Sequence, residues 1–289
     1  MKSRRTYPSF VEAEVPPASP VAALFHIIPV PYEKTVSYGA GTARGPRAII
    51  EASAQMEVFD GKGIPAKEAG VFTHLPVNCA GAAETVLARV AAEVSAVLAL
   101  GRVPVVLGGE HTVTYGAVAA LAAAGREFGV VQFDAHADLR DTYRGTAWSH
   151  ACVMRRVLEL GVPLFQIAVR SLSRSEAELR QELAIGHLDA AEIAEHGLPA
   201  EILPQSFPRD IYLSFDIDAL DPSLVPGTGT PEPGGLFWFE ALRALRRVMR
   251  GRHVPGFDIV EVAPLRSSPL SEFVAARLTY ELMGMILRP

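Results

Sequence analysis

Cysteine is nearly absent from this 289-residue chain: Cys79 and Cys152 are all it has. That excludes a disulfide framework, and a reducing compartment, the cytoplasm, is the expected setting. Long apolar runs are missing too, and no segment approaches the roughly 18 residues of a membrane span. The start, Met1 to Thr6, is basic, but Pro8, Glu12, Glu14, Pro16 and Pro17 follow where a secretory signal needs an apolar core. Positive charge is not concentrated either. The net charge is −5 and no basic stripe is present, which argues against nucleic acid as a partner. Arg155-Arg156 and the arginines from Arg243 to Arg252 fall on helix-like stretches and read as solvated faces. The remaining composition, 49% hydrophobic and 20% charged, is that of a globular protein long enough to bury a sizeable core. One domain over residues 21–289 is expected, preceded by an extended arm over residues 1–20.

Apolar runs and amphipathic stretches alternate along the chain. Val21 to Ile28 predicts a buried strand, and Pro46 opens a helix through about Met56 after a glycine-punctuated loop. Residues 60–82 are broken by Gly and Pro and predict no element. A helix over Glu84 to Leu100 stops at Gly101. Strands at Val103–Leu107, Phe128–Phe133, Leu164–Val169, Ile211–Phe215 and Gly256–Val260 are each followed by helical spacing. Those helices are Val113–Ala124, His150–Leu160, Ser175–Leu183, Phe237–Arg250 and Leu270–Leu287. Such alternation predicts an α/β fold with a doubly wound, mainly parallel sheet. Ligands of such sheets bind beyond the carboxyl ends of the strands.

Three ligand-rich segments fall at those ends: Gly108-Gly109-Glu110-His111, Asp134-Ala135-His136-Ala137-Asp138, and Ser214-Phe215-Asp216-Ile217-Asp218-Ala219-Leu220-Asp221-Pro222. Glu261 follows the last predicted strand. Asp134, His136 and Asp138 are spaced by two, as are Asp216 and Asp218, so each set shares one face of a strand running into a loop. Carboxylates gathered this way cannot all stay ionised without a cation. Hard oxygen ligands with a minority of imidazole suit Mn²⁺ and its neighbours, and a thiolate-free set argues against a structural zinc site. Candidate metal ligands are therefore His111, Asp134, His136, Asp138, Asp216 and Asp218. Two ions are expected, because a carboxylate can bridge a pair about 3.5–4 Å apart. Taken singly, each motif has a plainer reading. Asp-x-His can be a cap beside a surface histidine, Gly108-Gly109 a tight turn, and Asp221-Pro222 reads as structural.

The chain resembles the ureohydrolase superfamily of arginases and agmatinases from about Ala22 to Leu287. The resemblance is carried by residues 38–50 (Tyr-Gly-Ala-Gly-Thr-Ala-Arg-Gly-Pro-Arg-Ala-Ile-Ile), the three segments above, residues 226–236 (Pro-Gly-Thr-Gly-Thr-Pro-Glu-Pro-Gly-Gly-Leu) and Glu261-Val-Ala-Pro264. The 226–236 stretch and Ser149-His-Ala-Cys-Val-Met-Arg-Arg156 are more similar to agmatinases. Glu110 and Ala137 depart from the family, where Asp and Thr are common. The resemblance implies a three-layer α/β/α domain, two Mn²⁺, hydrolysis of a linear guanidino compound (agmatine foremost) to urea and an amine, and homo-oligomers, trimers or hexamers. It implies that His111, Asp134, Asp138 and Asp216 hold one metal, and Asp134, His136, Asp216 and Asp218 the other. It also implies proton transfer by His150 and a guanidinium grip by Glu261, and the chemistry of the attacking water adds Asp138 as the group that passes a proton toward the leaving amine. From the residues alone, His150 could equally cap the helix that follows it, and Glu261 could cap a helix or pair with Arg266. A pocket lined by so many carboxylates favours a cationic substrate. Arg140, in the loop 139–144, leaves a carboxylate-tailed guanidino acid open.

Overall fold

A computed structural model describes residues 7–289. Eight strands form one sheet in which every pairing is parallel. They are β1 (Phe25–Val30), β2 (Val71–Thr73), β3 (Val103–Gly108), β4 (Phe128–Phe133), β5 (Leu164–Ile167), β6 (Gly186–Leu188), β7 (Asp210–Asp216) and β8 (Phe257–Val260), in the order β2-β1-β3-β8-β7-β4-β5-β6. The central strands are buried along their whole length, as a sheet covered on both faces requires.

Side-chain alternation divides the core in two. Ile27, Val105, Val131, Leu213 and Ile259 pack on one face; Ile28, Val106, Val130, Tyr212 and Val260 pack on the other. The first face is covered by α1 (Gly45–Ser53), α2 (Pro65–Ala69), α7 (Ala190–His196), α8 (Trp238–Met249) and α9 (Leu270–Leu287). The second is covered by α3 (Ala83–Ala99), α4 (Thr114–Ala123) and α5 (Val153–Glu159), with Leu179 of α6 (Arg174–Glu182) against it. Val86, Val90, Val94 and Val97 make the buried stripe of α3, which ends where Gly101 turns left-handed at φ +67. In α6 a capping box joins Ser173 and Glu176. Among the described residues no helix is long and apolar enough to cross a membrane.

The expected three-layer α/β/α architecture is present. Several boundaries differ. The first strand runs over 25–30 because Ala22 and Ala23 donate back to the Ser19 carbonyl in a turn, which leaves Val21 exposed. The helix expected from His150 begins with a 3-10 turn, His150–Cys152, before α5. The expected arm covers Met1 to Thr6, which lie outside the described residues. Its remainder is not extended: residues 10–15 turn back and bury Phe10, Val11 and Val15. The backbone N–H groups of Phe10 and Val11 donate to Thr73 Oγ1 and Ser53 Oγ at 3.0 and 2.8 Å.

The turn after β3 is set by a close approach. A Cβ on Gly109 would stand 2.0 Å from the Tyr32 carbonyl oxygen, while the Gly109 and Glu110 N–H groups donate to Val30 and Tyr32. Gly109→Ala is therefore expected to destabilise the fold by at least about 2 kcal/mol in denaturant unfolding, since backbone rather than a flexible side chain must give way. A melt unchanged from the parent chain would show that the loop after β1 yields freely.

Candidate metal centre

The strands β3, β8, β7 and β4 are neighbours in the sheet, and every candidate ligand sits at or just past their carboxyl ends. His111 follows β3, Asp134, His136 and Asp138 follow β4, Asp216 ends β7 with Asp218 in the turn after it, and Glu261 follows β8. The structure brings all of them to one place. Oxygen and nitrogen atoms of His111, Asp134 and Asp216 lie within 4.8 Å of one another, as do those of Asp134, His136 and Asp218. Asp134 belongs to both groups. Asp216, also expected to be shared, stands in the first. Asp138 joins the first through His111, its Oδ2 lying 2.9 Å from Nδ1. Both Asp138 and Glu261 have left-handed backbones, φ 54 and 64, a conformation that costs a non-glycine residue about 1–3 kcal/mol and gathers at functional sites.

The His111 ring is oriented by a buried relay. Asp258, inside β8, accepts hydroxyl protons from Ser214 Oγ, Thr114 Oγ1 and Tyr212 Oη, each at 2.9 Å. With its proton so committed, Ser214 Oγ can only accept from His111 Nε2, 2.8 Å away. Nδ1 is thereby aimed at the carboxylates. Asp134 Oδ2 and Asp216 Oδ2 lie 3.1 and 3.5 Å from it, yet no oxygen is aligned for a hydrogen bond. A buried nitrogen facing three carboxylates without a directed partner fits a cation held among them. Asp134 is fixed in turn: Gln132 Nε2 donates to its Oδ2 at 2.7 Å, and Gln166 Nε2 donates to Gln132 Oε1 and the Ala137 carbonyl. His136 is partly exposed, with Nδ1 3.0 Å from Asp218 Oδ2.

With no cation among them, these groups would balance their charge with protons. Burial works to lower the basicity of His136, but the charge of Asp218 and the closeness of Asp134 outweigh it and lift the pKa to about 12. Burial opposes a charged His111 as well, and Asp134 and Asp138 still hold it well above the ordinary histidine range. Asp134 is held well below the usual carboxylate range despite burial, by the two imidazoles. Burial and then the charge of Asp134 push Asp138 up to about 7. Asp216 rises well above its ordinary value through burial and the charges of Asp218, Asp134 and Glu261.

The centre opens into a cavity of about 300 Å³ lined by His136, Asp138, Arg140, Tyr143, His150, Glu176, Thr230 and Glu261 among others. Glu261 Oε1 accepts the His111 backbone N–H at 2.7 Å, which leaves Oε2 without a hydrogen bond among the described residues. Glu261 thus does cap the turn that opens at His111 and still has an oxygen to offer the cavity; no pairing with Arg266 is found among those residues. His150 reaches the same cavity with its basicity pulled down to about 4 by burial and by the charged His111 and His136. Arg140 lines the wall, its guanidinium 5.4 Å from the Tyr143 ring centre and its Nε 4.0 Å from Glu176 Oε2. Cys152 and Met154 are buried packing residues. Asp221 accepts from Ser223, Gly234 and Gly235 and pins the 223–235 loop, a structural part as expected.

Sequence reasoning passed over Asp258, Ser214 and Gln132. The signal for Asp258 was there, a lone carboxylate inside the apolar strand Gly256-Phe-Asp-Ile-Val260, which must find partners when buried.

The sheet order and the paired ligand groups define a hydrolase of the arginase type, and the chain belongs to the arginase family, whose profile matches residues 23–284. Among its relatives is an N(1)-aminopropylagmatine ureohydrolase from Synechocystis sp., 40% identical over 95% of this chain and 92% of that protein. An agmatinase from Pyrococcus horikoshii is 35% identical over 98% and 99% of the two chains. The crystal structure of the agmatine ureohydrolase of Thermoplasma volcanium superposes with a TM-score of 0.86 at 31% identity, covering 96% of this chain and 94% of that one.

Divalent ions bind the deprotonated forms of these groups, so the raised His111, His136 and Asp138 must lose protons as metal enters. Metal uptake at pH 7 is expected to release roughly two protons or more per chain, and affinity is expected to fall as pH drops from 8 to 6. Calorimetry in buffers of different ionisation enthalpy reads this directly. Affinity independent of pH, or net proton uptake, would refute the assignment. Ser214→Ala is expected to weaken metal binding about 10- to 100-fold by freeing the His111 ring, measured by metal titration of the folded chain.

Proposed function

We propose that the chain hydrolyses the guanidinium group of a linear guanidino-alkylamine, agmatine or its N(1)-aminopropyl derivative, to urea and the corresponding amine, with two Mn²⁺ as cofactors. The observation that carries this reading is one carboxylate, Asp134, standing in two overlapping ligand groups with the free oxygen of Glu261 beside them. His111, Asp134, Asp138 and Asp216 would hold one ion and Asp134, His136, Asp216 and Asp218 the other. When bound, such a pair supplies the Lewis acidity that makes water nucleophilic near neutral pH.

The protein's own groups do the rest. A guanidinium carbon is a poor electrophile because resonance spreads its charge, so it must be held in line with the attacking water. Glu261 Oε2 is placed to accept a guanidinium N–H and to fix the carbon in position. Water adds to that carbon, the bond to the alkyl nitrogen breaks, and the departing amine takes a proton. Asp138, whose carboxylate faces both the ligand groups and the cavity, is suited to take the water's proton and pass it on. His150, in the cavity lining, is suited to accept a proton there and return it to the amine as it leaves.

Arg140 favours a second reading. Its place in the cavity wall would suit a carboxylate-tailed substrate of the 4-guanidinobutyrate kind. Glu176, 4.0 Å away, offsets that charge and keeps the alkylamine first. A panel of agmatine, N(1)-aminopropylagmatine, arginine and 4-guanidinobutyrate, assayed for urea with Mn²⁺, ranks these substrates. Urea from none of them would end the ureohydrolase reading. Glu261→Gln is expected to keep both metals and the fold while losing at least about 10²-fold in kcat/KM, roughly 2.7 kcal/mol of transition-state stabilisation. Near-parental urea release by that variant at saturating Mn²⁺ would remove Glu261 from the mechanism.

A further inference from the structure

His150 lines the cavity with a ring whose two nitrogens are not equivalent. Nδ1 lies 3.1 Å from Thr35 Oγ1, and the His150 backbone N–H donates to the same oxygen at 3.2 Å. The Thr35 hydroxyl proton is already spoken for, because Oγ1 donates to Glu110 Oε1 at 2.8 Å. Glu110 is fully buried and its oxygens receive four donors. Oε2 accepts the backbone N–H groups of Lys34 and Thr35, each at 2.7 Å, and Oε1 also accepts the Thr112 hydroxyl at 2.7 Å. A carboxylate so surrounded acts as acceptor alone, so the direction of the chain is set from its buried end. Thr35 donates to Glu110 and has only lone pairs to offer His150, hence Nδ1 carries the hydrogen. Ser149 Oγ, at 3.4 Å, is a longer second contact to the same nitrogen. The Tyr143 ring meets the imidazole edge-on, with centres 5.7 Å apart, and restricts its rotation. Nε2 is left with its lone pair on the cavity side.

We propose that Thr35, anchored by Glu110, is a positioning residue that locks His150 in the Nδ1–H tautomer, so that Nε2 is the nitrogen that exchanges a proton with the departing amine. The inference rests on the ureohydrolase reading for its consequence and on hydrogen-bond direction for its geometry. Removing the hydroxyl would free the ring to rotate or to change tautomer without touching a metal ligand. Glu110 serves the same end one step further back, because it holds the backbone of residues 34 and 35 as well as the threonine side chain.

Three forms of the Mn²⁺-loaded full chain test it: the parent, Thr35→Val, which replaces the hydroxyl by a methyl of similar shape, and Thr35→Ser, which retains the hydroxyl. Thr35→Val is expected to lose about 10²-fold in kcat with KM changed less than about threefold, and Thr35→Ser to recover most of the loss. Metal content should be equal in all three. Parental kcat in Thr35→Val, a loss carried by KM, or Thr35→Ser as impaired as Thr35→Val would each overturn the proposal. A second measurement needs no variant: ¹⁵N spectra of the parent chain loaded with diamagnetic Zn²⁺ should show His150 protonated on Nδ1, and protonation on Nε2 alone would overturn it. A parent chain that releases no urea but shows Nδ1–H at His150 would sink the proposed function and leave the positioning geometry standing.

Discussion

Mutual repulsion among buried carboxylates is the constraint on which this molecule turns. Asp134, Asp138, Asp216, Asp218 and Glu261 all have side chains nearly or wholly out of water. Without a cation, protons would do the neutralising, on the two imidazoles and on Asp138 and Asp216, whose burial is compounded by neighbouring carboxylates. A centre of this kind contributes little to holding the fold and must be held by it. The four neighbouring strands β3, β8, β7 and β4 do so by sinking each ligand-bearing loop into a two-sided core, and the left-handed backbones of Asp138 and Glu261 show where local conformation gives way to placement.

Beneath the ligands lies a layer whose logic is directional. Acceptor-only groups, Asp258 under His111 and Glu110 under His150, each terminate a chain of hydroxyls. A chain that ends on a carboxylate has one polarity, so it decides which nitrogen of each histidine carries the hydrogen when the ring is neutral. The amides of Gln166 and Gln132 carry the same one-way order to Asp134. The two histidines therefore differ in function through what stands behind them: one ring turns Nδ1 to the carboxylates, the other keeps its hydrogen there.

Much of this was legible in the sequence because strand, turn and ligand coincide within a few residues. The runs before His111, Asp134 and Asp216 are apolar and β-branched, and each prediction landed within a residue or two of the observed strand. What escaped was short or depended on distant partners. β2 and β6 have three residues each and lie at the sheet edges, too brief for any period to register. α7 carried a capping-box signature, Asp189 with Glu192, but only seven residues follow. Phe10 and Val11 join the core where Thr73 and Ser53 hold their backbone N–H groups, and no local pattern announces it. Thr35 meets His150 across 115 positions. Such a pairing exists only once the sheet has aligned the loops. Arg140 was ambiguous for the same reason, since its direction is set by Tyr143 and Glu176.

The place of β8 in the sheet bears on how the chain can assemble. It is the last strand along the described chain, yet it lies in the middle, paired to β3 on one side and β7 on the other. Until it arrives, β2-β1-β3 and β7-β4-β5-β6 are separate ribbons, each with an open inner edge. His111 belongs to the first ribbon and the aspartates to the second. During synthesis, then, the segment at 257–260 is the keystone: neither ribbon can complete the centre before it emerges, and a chain interrupted ahead of it exposes two sticky edges at once.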